Sequence, residues 1–90
     1  MDNVMNNIEI LLGCHCVHAE LSEYNILNDG RDAWLIDLFQ AIDARCNSNA
    51  RRLLVRDIDR VCRYFARFGV RANASALAGT LWERYVMDEL

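Results

Sequence analysis

Residues 49–71 read NARRLLVRDIDRVCRYFARFGVR, and their periodicity decides the fold class. With about 100° of turn per residue, Leu54, Ile58, Val61, Phe65 and Phe68 gather on one side of a helix. Arg52, Arg56, Arg60, Arg63 and Arg67 fall on roughly the opposite side, within an arc of about 80°. One face is suited to burial and the other forms a cationic ridge. Ser48 or Asn49 can cap the start of this helix, and Gly69 can close it in a left-handed conformation.

Outward from this stretch the chain carries no proline, and its glycines fall at positions 13, 30, 69 and 79, so long helical patterns can run uninterrupted. A first helix is expected over about 3–24, with Val4, Met5, Ile8, Leu11, Leu12, His15 and Ala19 on one broad face. Ile10, Cys14, Val17 and Leu21 form a second apolar strip, which suits a central helix or one shared with another copy. Asn28, Asp29 and Gly30 supply a turn, and Asp29 can cap a second helix over about 31–46. That helix would bury Trp34, Leu35, Leu38, Phe39 and Ile42 and turn Asp37, Gln40 and Asp43 outward. A last helix starts near Asn73 or Ser75, with Leu77, Ala78, Leu81, Trp82 and Tyr85 on one side and a frayed end past Met87. Ninety residues with 53% hydrophobic content suit one domain over 1–90. The expectation is an all-α compact bundle of about four helices in antiparallel or orthogonal packing.

The net charge of −3 is unevenly spread. Residues 45–71 hold eight arginines against Asp57 and Asp59, a net of +6; residues 1–44 carry −7 and residues 72–90 carry −2. All ten cationic residues are arginine, whose planar fork grips carboxylates and phosphates at two points. The ridge therefore calls for an anionic partner or for the chain's own carboxylates. The acidic remainder repels a polyanion, and the apolar aromatics Phe65 and Phe68 lie opposite the arginines, so base stacking is disfavoured. Residues 68–70, Phe-Gly-Val, resemble the turn of a helix-turn-helix, but the following helix would present mostly small residues.

Other chemistry has weaker support. Cys14, His15, Cys16 and His18 suggest metal ligands, yet on a continuous helix Cys14 and Cys16 point about 160° apart and converge only if the helix breaks at Gly13. Small thiols filling a core, and a hydrogen-bonded core His15, are the expectation. A Cys14–His18 pair lacks a third group or an anion hole. Asp57 and Asp59 diverge on a helix, so they do not share a substrate proton. No cofactor or metal site is expected, and no stretch is long and apolar enough to span a membrane. With no positive start of a secretory signal, the chain is expected to be intracellular and cytoplasmic, its four cysteines reduced.

These features point to a non-enzymatic interaction module that docks Arg52, Arg56, Arg60, Arg63 and Arg67 on an acidic surface of a protein partner. In size and lack of a catalytic motif it resembles small regulators and inhibitors encoded by phages and mobile elements against host systems. The alternative is a protein that binds the nucleic-acid backbone with the same ridge, as a possible homodimer.

Overall fold

The computed structural model describes residues 2–19, 26–28, 33–35 and 41–90. The elements follow in the order α1 (Asp2–Gly13), β1 (Cys16–Val17), β2 (Ile26–Asn28), β3 (Ala33–Leu35), β4 (Ile42–Asp43), α2 (Ala50–Ala66) and α3 (Ala74–Val86). The fold is mostly helical, as the sequence suggests, with three helices among the described residues rather than about four. Two short antiparallel ladders complete it, β1 with β4 and β2 with β3.

The core is assembled around α2. Val4, Ile8 and Leu12 recur every four residues along α1 and share one buried cluster with Leu54, Ile58, Val61 and Phe65 of α2, Val17 of β1 and Ala78 and Leu81 of α3. Burial of each large aliphatic side chain stabilises the fold by about 1.5–3 kcal/mol, which explains why the apolar faces dictate how the three helices pack. Glu9 of α1 and Arg84 of α3 form an ion pair at 2.9 Å on the rim of this packing.

Helix ends follow local chemistry. Asn73 accepts a hydrogen bond from the Ala76 amide and caps α3, which starts close to the expected position. At the far end of α2, Gly69 takes φ +81°, while the Val70 and Gly69 amides donate to the Phe65 and Ala66 carbonyls. This paired arrangement is a Schellman closure. Phe68 lies beyond the last helical residue, so the helical projection that placed it on the buried face no longer applies, and it is 60% exposed. The end of α3 is similarly closed rather than frayed: Asp88 is left-handed and the Glu89 amide donates to the Arg84 carbonyl at 2.8 Å.

Two expected helices are corrected. α1 stops at Gly13 instead of continuing to residue 24, because the chain turns through Cys14 and a left-handed His15 into β1. The second apolar strip therefore belongs to two separate elements, and Val17 reaches the core from a strand. The helix over 31–46 is replaced by β3 and β4; β4 pairs with β1 through Val17↔Ile42 and Cys16↔Asp43. A short apolar run cannot be assigned to helix or strand by periodicity alone, and here backbone partners decide it. The expected turn at Asp29 and Gly30 and the placements of Leu38, Phe39, Asp37 and Gln40 lie outside the described residues.

Candidate functional site

The chain that leaves β1 passes directly over α2. Val17, His18 and Ala19 are all buried there. Asp57 of α2 is 1% exposed, and its Oδ2 accepts a hydrogen bond from the Ala19 amide at 2.7 Å. A buried carboxylate is costly unless it is hydrogen-bonded, and a charged acceptor makes such a bond stronger than a neutral pair would. From the preceding residue, the Arg56 guanidinium donates through Nη2 to the Ala19 carbonyl. Ala19 itself has φ +73°, a left-handed conformation that costs a non-glycine residue about 1–2 kcal/mol. The contacts from α2 hold it there.

The second half of the loop region is set by the β2–β3 ladder, in which Ile26 pairs with Leu35 and Asn28 with Ala33. This register puts the first residue of β2 beside the last residue of β3. In sequence, Asn25 immediately precedes the first and Asp37 lies two residues after the second. At the other side of the loop, the His15 carbonyl accepts from the Ala44 amide at 2.8 Å, and His15 Nδ1 lies 2.9 Å from the Tyr85 hydroxyl. His15 is thus hydrogen-bonded, as expected, and joins the turn after α1 to α3.

The arginine ridge is surface, with distinct settings along it. Arg52, Arg56, Arg60, Arg63 and Arg67 are all exposed. Arg63 pairs with Asp59 at 2.9 Å, Arg67 lies over the Tyr64 ring at 6.0 Å, and Arg56 turns back to the chain at Ala19. An open groove of about 610 Å³ lies elsewhere, between α1 and α3, lined in part by Met5, Glu9, Leu77 and Arg84.

The cysteines do not form the expected core filling: Cys14 and Cys46 are exposed and Cys16 and Cys62 half-buried, because the break at Gly13 and the loop before α2 carry them to the edge. Burial, followed by the nearby Cys14 and Asp43, raises the Cys16 pKa, and burial with Asp59 raises that of Cys62. Both therefore favour the thiol over the nucleophilic thiolate. No metal-binding cluster of His, Cys, Asp and Glu occurs among the described residues. On the surface beside β1, hydrogen bonds from Arg45 hold the Asp43 carboxyl down at about 2.

A strand leading into buried His18 and Ala19, the antiparallel β2–β3 pair and a core helix that grips Ala19 make up the described part of the site. The RIO domain family model matches residues 1–77, and the chain belongs to that family. It is 38% identical over 62 residues to the human serine/threonine-protein kinase RIO3, covering 69% of this chain and 12% of that protein. It is also 36% identical over 72 residues to the RIO-type serine/threonine-protein kinase Rio1 of Thermoplasma acidophilum, covering 80% of this chain and 38% of that one. A similar match, 38% over 61 residues, joins it to Rio1 of Haloferax volcanii, with 68% of this chain and 21% of the relative covered. The chain thus spans well under half the length of these relatives.

Family membership overturns the expectation of a non-enzymatic module acting as a regulator or inhibitor: the relatives are protein kinases, which are enzymes. It also identifies a signal that was present in the sequence. Protein kinases carry a catalytic loop of the form H-R-D-L-x-x-x-N and, further on, an aspartate that binds magnesium. Residues 18–25 read HAELSEYN, which retains His18, Leu21 and Asn25 at those spacings and has Glu20 where the pattern has aspartate. Asp37 follows the hairpin. Glu20, Asn25 and Asp37 lie outside the described residues, so their roles rest on the motif and on the elements that flank them.

Proposed function

We propose that this chain carries the catalytic-loop half of a serine/threonine-protein kinase site that transfers the γ-phosphoryl group of ATP to a hydroxyl. The observation that supports it most directly is the Ala19 amide bound to buried Asp57 at 2.7 Å, one residue before Glu20. In this reading Glu20 accepts the proton of the attacking hydroxyl, the role of the loop aspartate in protein kinases. Asn25 and Asp37 supply an amide and a carboxylate oxygen, hard donors that suit magnesium. The pairing of Ile26 with Leu35, the described residues nearest in sequence to Asn25 and Asp37, supports a shared ion. Held by Asn25 and Asp37, magnesium would supply positive charge to offset the charge that develops on the transferred group.

Asp57 does not touch substrate; it anchors the loop. The glycine-rich loop and lysine that hold nucleotide phosphates in protein kinases are not supplied by these 90 residues, which contain no lysine. The proposal is accordingly confined to the catalytic loop and the magnesium ligands. An intracellular location, where ATP is available, fits this activity.

The test compares phosphoryl transfer from Mg·ATP to serine by the protein and by its Glu20→Gln variant. A positioned general base contributes about 10²–10⁴-fold, and a loss of that size is expected in kcat. Equal rates for the two proteins, or transfer by neither, would overturn the proposal.

A further inference from the structure

Consecutive residues of α2 hold both polar groups of a single residue in the loop: Asp57 takes the Ala19 amide, and Arg56 donates to the Ala19 carbonyl. That carbonyl belongs to the peptide unit joining Ala19 to Glu20. It can rotate only if the Arg56 bond breaks. The grip is applied to a residue at φ +73°, where an alanine has every reason to relax if released.

We propose that Arg56 is a positioning residue for the phosphoryl-transfer loop, fixing the peptide unit that leads to Glu20, while Asp57 fixes the one before it. The inference rests on the kinase reading. Two further observations single Arg56 out from the ridge. Protein kinases have an arginine inside the loop at the position that Ala19 occupies here, so this chain lacks a guanidinium within the motif and brings one from α2 instead. Arg52, one helical turn earlier on the same ridge, is exposed and makes no hydrogen bond or ion pair with the described residues.

The cation also has a reason to be arginine. Its long, rigid fork can stay partly in solvent while one N–H reaches back over α2 to a carbonyl. A single donor is used, so lysine should largely replace it and glutamine poorly.

The experiment compares Arg56→Gln, Arg56→Lys and Arg52→Gln in the full chain, with melting curves to confirm folding. A misplacement of about 1 Å in a reacting group can cost on the order of 10²-fold, and that loss is expected in kcat for Arg56→Gln with KM for Mg·ATP essentially unchanged. Arg56→Lys should recover most of the rate, and Arg52→Gln should match wild type. Wild-type kcat in Arg56→Gln, a change confined to KM, or an equal loss in Arg52→Gln would overturn the inference. Amide hydrogen exchange at Ala19 supplies a readout independent of turnover. Protection there should fall at least about 10-fold in Arg56→Gln, as expected when a local opening becomes easier. If wild type transfers no phosphate, the kinase reading fails by itself; unchanged protection at Ala19 defeats the role of Arg56 whatever the turnover.

Discussion

The two halves of this molecule are held by different forces. From Ala50 onward, α2 and α3 pack through apolar stripes, and Leu54, Ile58, Val61, Phe65, Ala78 and Leu81 account for their arrangement. From Cys14 to Cys46 the described chain is short ladders and turns, with two left-handed residues, His15 and Ala19, fixed by hydrogen bonds from distant elements. The helical half supplies stability without specifying chemistry. In the loop half, chemistry is specified by polar contacts that contribute less to stability, and α2 is the element that serves both.

Substitutions on adjacent residues of α2 should separate these roles. Ile58 is fully buried, and Ile58→Ala should cost about 2–5 kcal/mol in urea denaturation while leaving turnover per folded molecule little changed. Asp57→Ala should be less destabilising, about 1–3 kcal/mol, because it leaves the buried Ala19 amide without its acceptor. Its effect on turnover should nonetheless be far greater, on the order of 10²-fold. If Ile58→Ala and Asp57→Ala reduced turnover equally at matched folded fraction, the division between scaffold and loop anchor would collapse.

The smallest effect concerns the β1–β4 edge. Arg45 lowers the Asp43 pKa from 3.8 to about 2, so the folded state prefers the carboxylate. That contribution is present above pH 3.8 and is lost as pH falls toward 2. Asp43→Asn should therefore lower stability slightly near neutrality and converge with wild type as pH falls toward 2, flattening the curve in that acid window. The pair is surface-exposed and screened, so the change should be slight. Identical acid profiles for the two proteins would show that Arg45 stabilises the carboxylate equally in the unfolded chain.

Legibility in the sequence follows the same division. α2 could be read because its apolar residues repeat at helical spacing over its whole length, and Gly69 and Asn73 because caps and closures are local. The break after Gly13 was hidden: an interior glycine costs a helix only about 1 kcal/mol, so it is weak evidence for a stop. Ala33–Leu35 and Ile42–Asp43 take strand form from partners elsewhere in the chain, which no window of local pattern contains. Nothing local marks Asp57 as a buried anchor, since its burial is justified by an amide 38 residues away. The loop motif is present as linear spacing, His18 to Asn25, but the expected first helix runs through it, whereas α1 ends at Gly13.

The adjacency of Arg56 and Asp57 also limits how the chain can change length. A helix turns about 100° per residue, so inserting or deleting one residue between Leu54 and Ile58 would swing the two loop contacts away from Ala19 whenever the apolar stripe stayed in the core. Gains and losses of residues can be absorbed in the turns at 44–49 and 67–73, which carry neither constraint. The middle of α2 acts as a fixed angular gauge, tolerant of many substitutions on its solvent side and of no indels.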